Sequence, residues 1–130
     1  RRAYNASGYS QLNAAGLIAA EAAYRDGEVW YNAVKAYLVE NIAYMREFIN
    51  TRLPQLRMIE PEGTYLVWVD FRKLGLDNGA LEDLILHKAG LWLDSGAIFG
   101  PVGEGFQRFN IACPRATLQL ALEKLEAAIL

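Results

Sequence analysis

Arg108 is the residue in this 130-residue sequence whose type and setting most clearly ask for a chemical partner. It stands between two phenylalanines, Phe106 and Phe109, in a run that reads as a strand over residues 106–112. Two-residue alternation puts Phe106, Arg108 and Asn110 on one face of that strand and Gln107, Phe109 and Ile111 on the other. A guanidinium in apolar surroundings is costly unless an anion meets it, and its planar fork matches a carboxylate through two parallel hydrogen bonds. Two readings therefore stand side by side. One is a structural ion pair, with Glu104 or Asp94 as partner; the other is a grip on a ligand carboxylate.

Other constellations are sparse. The sequence holds one histidine, His87, and one cysteine, Cys113. Asp83 and His87 share a helix face at i, i+4, which supplies at best half of the three or four ligands of a metal site. His87 is read as solvated or capping, and no metal site is expected. Cys113 precedes Pro114 at a strand-to-helix junction, where a helix N-terminus can lower a thiol pKa; the favoured reading is a small buried hydrophobe. No G-x-S-x-G motif occurs, and no serine or cysteine has recognisable triad partners. Glu60, Glu62 and Asp70, spread over a turn and a strand end, read as solvated carboxylates. The loop of residues 94–105 carries Gly96, Gly100, Pro101, Gly103 and Gly105. It joins two strands, where a phosphate cradle would join a strand to a helix, and it places Glu104 where an anion would sit. It is read as a shaped lid or wall.

The elements that must position these residues follow from punctuation and periodicity. Ser10 can cap a first helix whose Leu12, Ala15, Ala19, Ala22 and Ala23 form a small-residue face, stopped by Asp26-Gly27. Over residues 29–53, Trp30, Val34, Tyr37, Leu38, Ile42, Met45, Phe48 and Ile49 recur at three and four, predicting a long amphipathic helix ended by Pro54. Residues 57–60 predict a short strand, and Pro61-Glu62-Gly63 a turn in which Gly63 accepts positive φ. Residues 64–71 predict an inner strand, apolar on both faces. Asp77-Asn78-Gly79 opens a helix presenting Leu81, Leu84, Ile85 and Ala89, closed by Gly90. A short strand is expected at Leu91-Trp92-Leu93. Pro114 opens a last helix with Leu118, Ala121, Leu122, Leu125 and Ile129 as its buried stripe. The fold class is α+β: a small mixed or antiparallel sheet covered by helices, with a long helix early in the chain.

Thirteen Lys plus Arg against 15 Asp plus Glu give a net charge of -2 with no basic stripe, so nucleic acid is not an expected partner. No run reaches the roughly 18 apolar residues of a membrane span, and the first residues lack the basic, apolar, small-residue order of a signal peptide. A single cysteine excludes an internal disulfide framework and agrees with a cytoplasmic location. One domain is expected at this length. The chain starts on Arg1-Arg2 without a methionine and stops directly after a helical pattern, and it is read as a piece of a longer protein. With 53% hydrophobic residues, some apolar surface is expected to meet another domain or subunit.

Three stretches carry a family resemblance: Pro61-Glu62-Gly63-Thr64-Tyr65-Leu66-Val67-Trp68-Val69-Asp70, Ser95-Gly96-Ala97-Ile98-Phe99-Gly100, and Gly103-Glu104-Gly105-Phe106-Gln107-Arg108-Phe109-Asn110-Ile111-Ala112-Cys113-Pro114-Arg115. Together, in this order, they resemble the carboxy-terminal small domain of fold-type I pyridoxal-phosphate enzymes of the aminotransferase superfamily, nearest the MalY/PatB branch of cystathionine β-lyase type. The resemblance implies that residues 1–130 are such a small domain, with the large cofactor-binding domain upstream. It implies that Arg108 grips the substrate α-carboxylate and that Phe99 and Gly100 belong to a loop bordering the cleft. It further implies an amino-acid substrate, a homodimer, and a Schiff-base lysine outside this chain. Lys35, Lys73, Lys88 and Lys124 sit without the cofactor motifs, so the isolated fragment is expected neither to hold pyridoxal phosphate nor to catalyse. The implied reaction is C-S β-elimination or, alternatively, transamination, a choice set by groups around the cofactor. Ser7-Gly8-Tyr9-Ser10 resembles a segment near the dimer interface, and Arg115 belongs to the motif without a derivable role. A non-catalytic regulatory or protein-binding domain of the same ancestry is the reading from another class.

Overall fold

A computed structural model describes Arg2, Ala6 and residues 13–130. Ser10 and Leu12, and the segment 7–10, lie outside the described residues. The first helix, α1 (Ala14–Asp26), begins at Asn13, whose side-chain oxygen accepts the Gly16 N–H at 2.6 Å. The helix α2 (Glu28–Arg52) follows almost at once. The chain divides into two compact units, one reaching to Ala36 and the other spanning Tyr37–Leu130.

In the first unit no α1 residue is buried, and Leu17, Ile18, Tyr24, Val29, Trp30 and Tyr31 are exposed. The stripe predicted for the long helix is thus buried only in its second half, at Met45, Phe48 and Ile49, while Trp30 is 71% exposed.

The second unit holds the sheet. Pro54 stops α2, and the chain turns into β1 (Arg57–Met58) and β2 (Leu66–Asp70). After a 3-10 turn at Arg72–Leu74, Asp77 caps α3 (Asn78–Asp83) by accepting the Ala80 N–H at 2.8 Å. The helix widens into a π turn over Leu84–Lys88, with Ala89 N–H bonded to Leu84 O. Next come β3 (Asp94–Ser95), 3-10 turns at Gly96–Phe99 and Pro101–Gly103, β4 (Phe106–Asn110) and α4 (Arg115–Ile129). The strands run in the order β1-β2-β4-β3, and every pairing is antiparallel. The expected short strand at residues 91–93 is therefore displaced to Asp94–Ser95. Leu91 is buried and Trp92 is 93% exposed, so that stretch leads into the sheet without pairing.

Alternation gives the sheet two unlike faces. Val67 and Val69 of β2, Phe109 of β4 and Ile111 just after it are buried with Met45, Phe48, Ile49 and Leu53, with Leu81, Leu84 and Ile85, and with Leu118, Leu122 and Leu125. Each such side chain contributes roughly 1.5–3 kcal/mol when withdrawn from water. The other face carries Trp68, Asp70, Phe106 and Arg108, and no helix of the second unit contributes to it a side chain of the core cluster. It is the face on which the polar chemistry collects. Among the described residues no helix is long and apolar enough to cross a membrane.

Candidate carboxylate site on the open sheet face

Register builds this site. Arg108 of β4 lies directly opposite Trp68 of β2 and directly opposite Asp94 of β3, so the three form one row across the sheet. Directly opposed residues of antiparallel strands point to the same side. Arg108 donates from Nη2 to Asp94 Oδ2 at 2.6 Å and from Nε to the same oxygen at 3.2 Å. Its guanidinium lies 4.6 Å from the centre of the Phe99 ring and 6.0 Å from that of Trp68. Trp68 and Phe99 meet edge to face at 5.2 Å. Of the two partners foreseen for Arg108, Asp94 is the one it meets; Glu104 is exposed and forms no ion pair among the described residues.

Two cavities open beside this row. One, of about 340 Å³, is lined by Arg108, Trp68 and Leu66 together with the turn from Ile59 to Thr64. The other, of about 370 Å³, is apolar and lined by Ile59, Trp68, Phe99, Val102, Gly103 and Phe106. Phe99 thus borders a cavity, whereas Gly100 lines neither and instead turns the chain between the two 3-10 segments at φ 108°. The loop is held shut upon itself by backbone packing. A Cβ on Gly96 would meet Gly103 O at 2.0 Å, and one on Gly103 would meet Gly96 O at 2.1 Å. The turn entering β2 differs from expectation too: Thr64, and not Gly63, takes positive φ, at 64°. A β-branched residue there is strained, and its hydroxyl accepts the Leu66 N–H at 3.2 Å.

Asp70 corrects the reading of a solvated carboxylate. It is buried, and it accepts from Arg72 Nε at 2.9 Å, Arg72 Nη2 at 2.8 Å, the Arg72 backbone N–H at 3.0 Å and Arg57 Nη2 at 3.2 Å. The Arg72 hydrogen bonds hold its carboxyl far below the usual carboxylate range, outweighing the opposing effect of burial. Arg72 continues over the Phe106 ring at 4.7 Å, so the open face is lined from Arg72 to Asp94 by alternating charge and aromatic surface. Glu60 is paired with Arg46, and Glu62 is exposed on the cavity rim.

The remaining sequence candidates lie elsewhere. His87 is exposed, and Asp83 pairs at 3.9 Å with Lys88, five residues on, because the π turn advances the partner by one position. No cluster of three metal-ligating side chains occurs among the described residues. Burial pushes the Cys113 thiol up, outweighing the helix-start hydrogen bond that lowers it, so it is not an activated thiolate. Arg115 acquires a structural role. Its Nε donates to Asn41 Oδ1 at 2.7 Å, its backbone N–H donates to the Tyr37 hydroxyl at 2.6 Å, and its guanidinium covers Tyr44 at 4.8 Å. Asn41, fully buried, donates in turn to Ile111 O and Cys113 O. The network fastens α2 to the junction between β4 and α4.

Sequence reasoning missed Trp68 as a wall of the site, although alternation along β2 already put it on the face opposite Val67 and Val69. All four lysines are exposed and none lines either cavity. Neither cavity thus offers a lysine for a Schiff-base cofactor, whose ring and phosphate would also need partners.

Comparison with known proteins gives this face its context. No family model matches the chain. It is 38% identical over 123 residues to the cystathionine β-lyase PatB of Bacillus subtilis, covering 95% of this chain and 32% of that protein. Against protein MalY of Escherichia coli it is 34% identical over 122 residues, covering 94% and 31%. Cystalysin from Treponema denticola, whose crystal structure contains pyridoxal 5'-phosphate, superposes with a TM-score of 0.88 at 35% identity over 91% of this chain and 30% of its own. The chain spans about a third of the length of the relatives it matches. In fold and sequence the chain is similar to pyridoxal-phosphate-dependent C-S lyases and aminotransferases. Its homologues among these are the MalY/PatB-type cystathionine β-lyases.

Proposed function

We propose that this chain is the carboxy-terminal small domain of a pyridoxal-phosphate enzyme acting on amino acids, a C-S β-lyase of cystathionine β-lyase type, and that it grips the substrate carboxylate and closes over the active site. The observation that carries the reading is Arg108. It stands on the uncovered sheet face beside two cavities, with its Nε and Nη2 engaged by Asp94 and its Nη1 without a hydrogen bond among the described residues. A substrate carboxylate can take the Nη1–Nη2 end through two parallel hydrogen bonds. Trp68, Phe99 and Phe106 then wall the substrate from water, which strengthens that ion pair and fixes the orientation of the bond to be broken. Pyridoxal phosphate, bound by residues outside this chain, supplies the electron sink for bond cleavage at the amino acid. The homodimer and cytoplasmic location implied by the resemblance belong to the same proposal.

The test uses the full-length protein. Its visible spectrum with added pyridoxal phosphate is recorded, and pyruvate release from L-cystathionine is assayed. A cofactor band with pyruvate supports the lyase; a band without pyruvate supports the aminotransferase of the same family; no band supports a non-catalytic domain. Arg108→Lys keeps the charge and loses the fork, and kcat/KM is expected to fall roughly tenfold to hundredfold, the worth of one charge-assisted hydrogen bond. Unchanged kcat and KM would remove Arg108 from the site.

A further inference from the structure

From the row Trp68–Arg108–Asp94 we infer that Asp94 is a positioning residue for substrate binding: it fixes the Arg108 guanidinium in the orientation that receives a carboxylate. The inference rests on the reading of Arg108 as the carboxylate grip and adds a residue to it.

An arginine side chain has long-range rotational freedom, and ordering it at the moment of binding costs affinity. Here the ordering is done beforehand by three contacts. The strand register sets Asp94 directly opposite Arg108. A single Asp94 oxygen, Oδ2, takes both Nε at 3.2 Å and Nη2 at 2.6 Å, which fixes one edge of the fork. Phe99, 4.6 Å away, lies against the guanidinium. Only the far end of the guanidinium, Nη1 with the second hydrogen of Nη2, is left for a ligand, and Arg108 lines the cavity of about 340 Å³. The Arg108 side chain is 23% exposed and that of Asp94 45%, so Asp94 stands on the solvent side of the pair. That placement leaves the core untouched and makes a merely structural role for Asp94 small, since exposed pairs add little to stability.

The opposite outcome is physically sensible and separable. If Asp94 merely neutralised Arg108, its removal would free a cation and tighten carboxylate binding. The experiment compares Asp94→Ala, Asp94→Asn and Arg108→Ala in the full-length holoenzyme. Direct calorimetric titration with 3-(methylthio)propionate is set beside its uncharged amide, together with KM and kcat for L-cystathionine and the melting temperature. For Asp94→Ala, carboxylate affinity is expected to weaken about tenfold, the order expected for ordering one arginine side chain on binding. KM for L-cystathionine is expected to rise by a similar factor, while amide binding and melting temperature stay put. Asp94→Asn keeps an acceptor oxygen and is expected to restore most of the affinity. Unchanged or tighter carboxylate binding in Asp94→Ala overturns the inference, as does an equal loss for the amide. If those failures come with strong loss in Arg108→Ala, the grip stands and only Asp94 falls. If Arg108→Ala changes nothing, the grip itself falls and takes the inference with it.

Discussion

Asp70 keeps a charge on the open face because its oxygens are shared among Arg72 and Arg57, and both arginines keep much of their own surface in water. The unfolded chain titrates such a carboxyl near about 3.9, above its folded value. Its contribution to stability is therefore complete above that range and is lost as pH falls through the depressed folded value. Asp70→Asn is expected to cost about 2 kcal/mol at neutral pH, the worth of hydrogen bonds to a charged group. Urea unfolding at pH 7 and at pH 3 should show that gap narrowing in acid; a constant gap would mean that Asp70 acts through packing alone. This carboxylate read as solvated in the sequence because its strongest partner, Arg72, sits only two residues on, past the end of the strand. Arg115 was opaque for the opposite reason: Asn41, which explains it, is 74 residues away. The sequence reasoning could narrow Arg108 to a pairing or a grip. Only the sheet register chose Asp94 over Glu104 as the partner, and the grip itself came from resemblance.

Among the elements, the segment between β3 and β4 has little freedom to change. Gly96 and Gly103 are in backbone contact, and Gly105, at φ 77°, lets the Arg72 stem pass where a Cβ would lie 2.5 Å from Cγ. Gly96→Ala forces a methyl against a carbonyl that belongs to the main chain and cannot rotate away. It is expected to destabilise by roughly 3 kcal/mol, at the upper end of overpacking costs. Thermal unfolding measures it, and Gly100→Ala, where open space surrounds the added methyl, isolates the cost of positive φ alone. Both glycines were visible in the sequence as parts of a shaped loop, but glycine content does not reveal which pair touches. The same limit displaced β3. Leu91-Trp92-Leu93 has strand composition, yet pairing is decided by what lies opposite on β4, where Arg108 and Gln107 meet Asp94 and Ser95. The helices α2 and α4 were legible almost to the residue, since punctuation at Pro54 and Pro114 is a local signal, while the strand read over residues 64–71 is shorter, at Leu66–Asp70, because Thr64 turns at positive φ. The π turn within the third helix has no such signature.

On the scale of the whole molecule, the two units differ in how well they bury apolar side chains. The unit from Tyr37 onward contains the entire buried cluster, from Met45 to Leu125. In the other, Val29 is 84% exposed, Trp30 71% and Ile18 68%. Scattered apolar residues are ordinary on a surface, but a helical stretch that carries several without burying any of α1 has surface suited to a covering partner. The chain spans only about a third of its relatives, so on the proposed function a preceding large domain is the natural candidate for that cover. Made alone, the 130-residue chain should hide this surface in the way open to it, by associating with itself. Sedimentation velocity over a hundredfold range of concentration is expected to show reversible growth beyond the monomer. Trp30→Glu, which places a charge in the middle of the exposed stretch, is expected to shift the distribution back to monomer without lowering the melting temperature, since Trp30 is not part of the core. A monomer at all concentrations would show that this stretch needs no partner, and association undiminished by Trp30→Glu would move the contact to another surface, such as the one around Trp92.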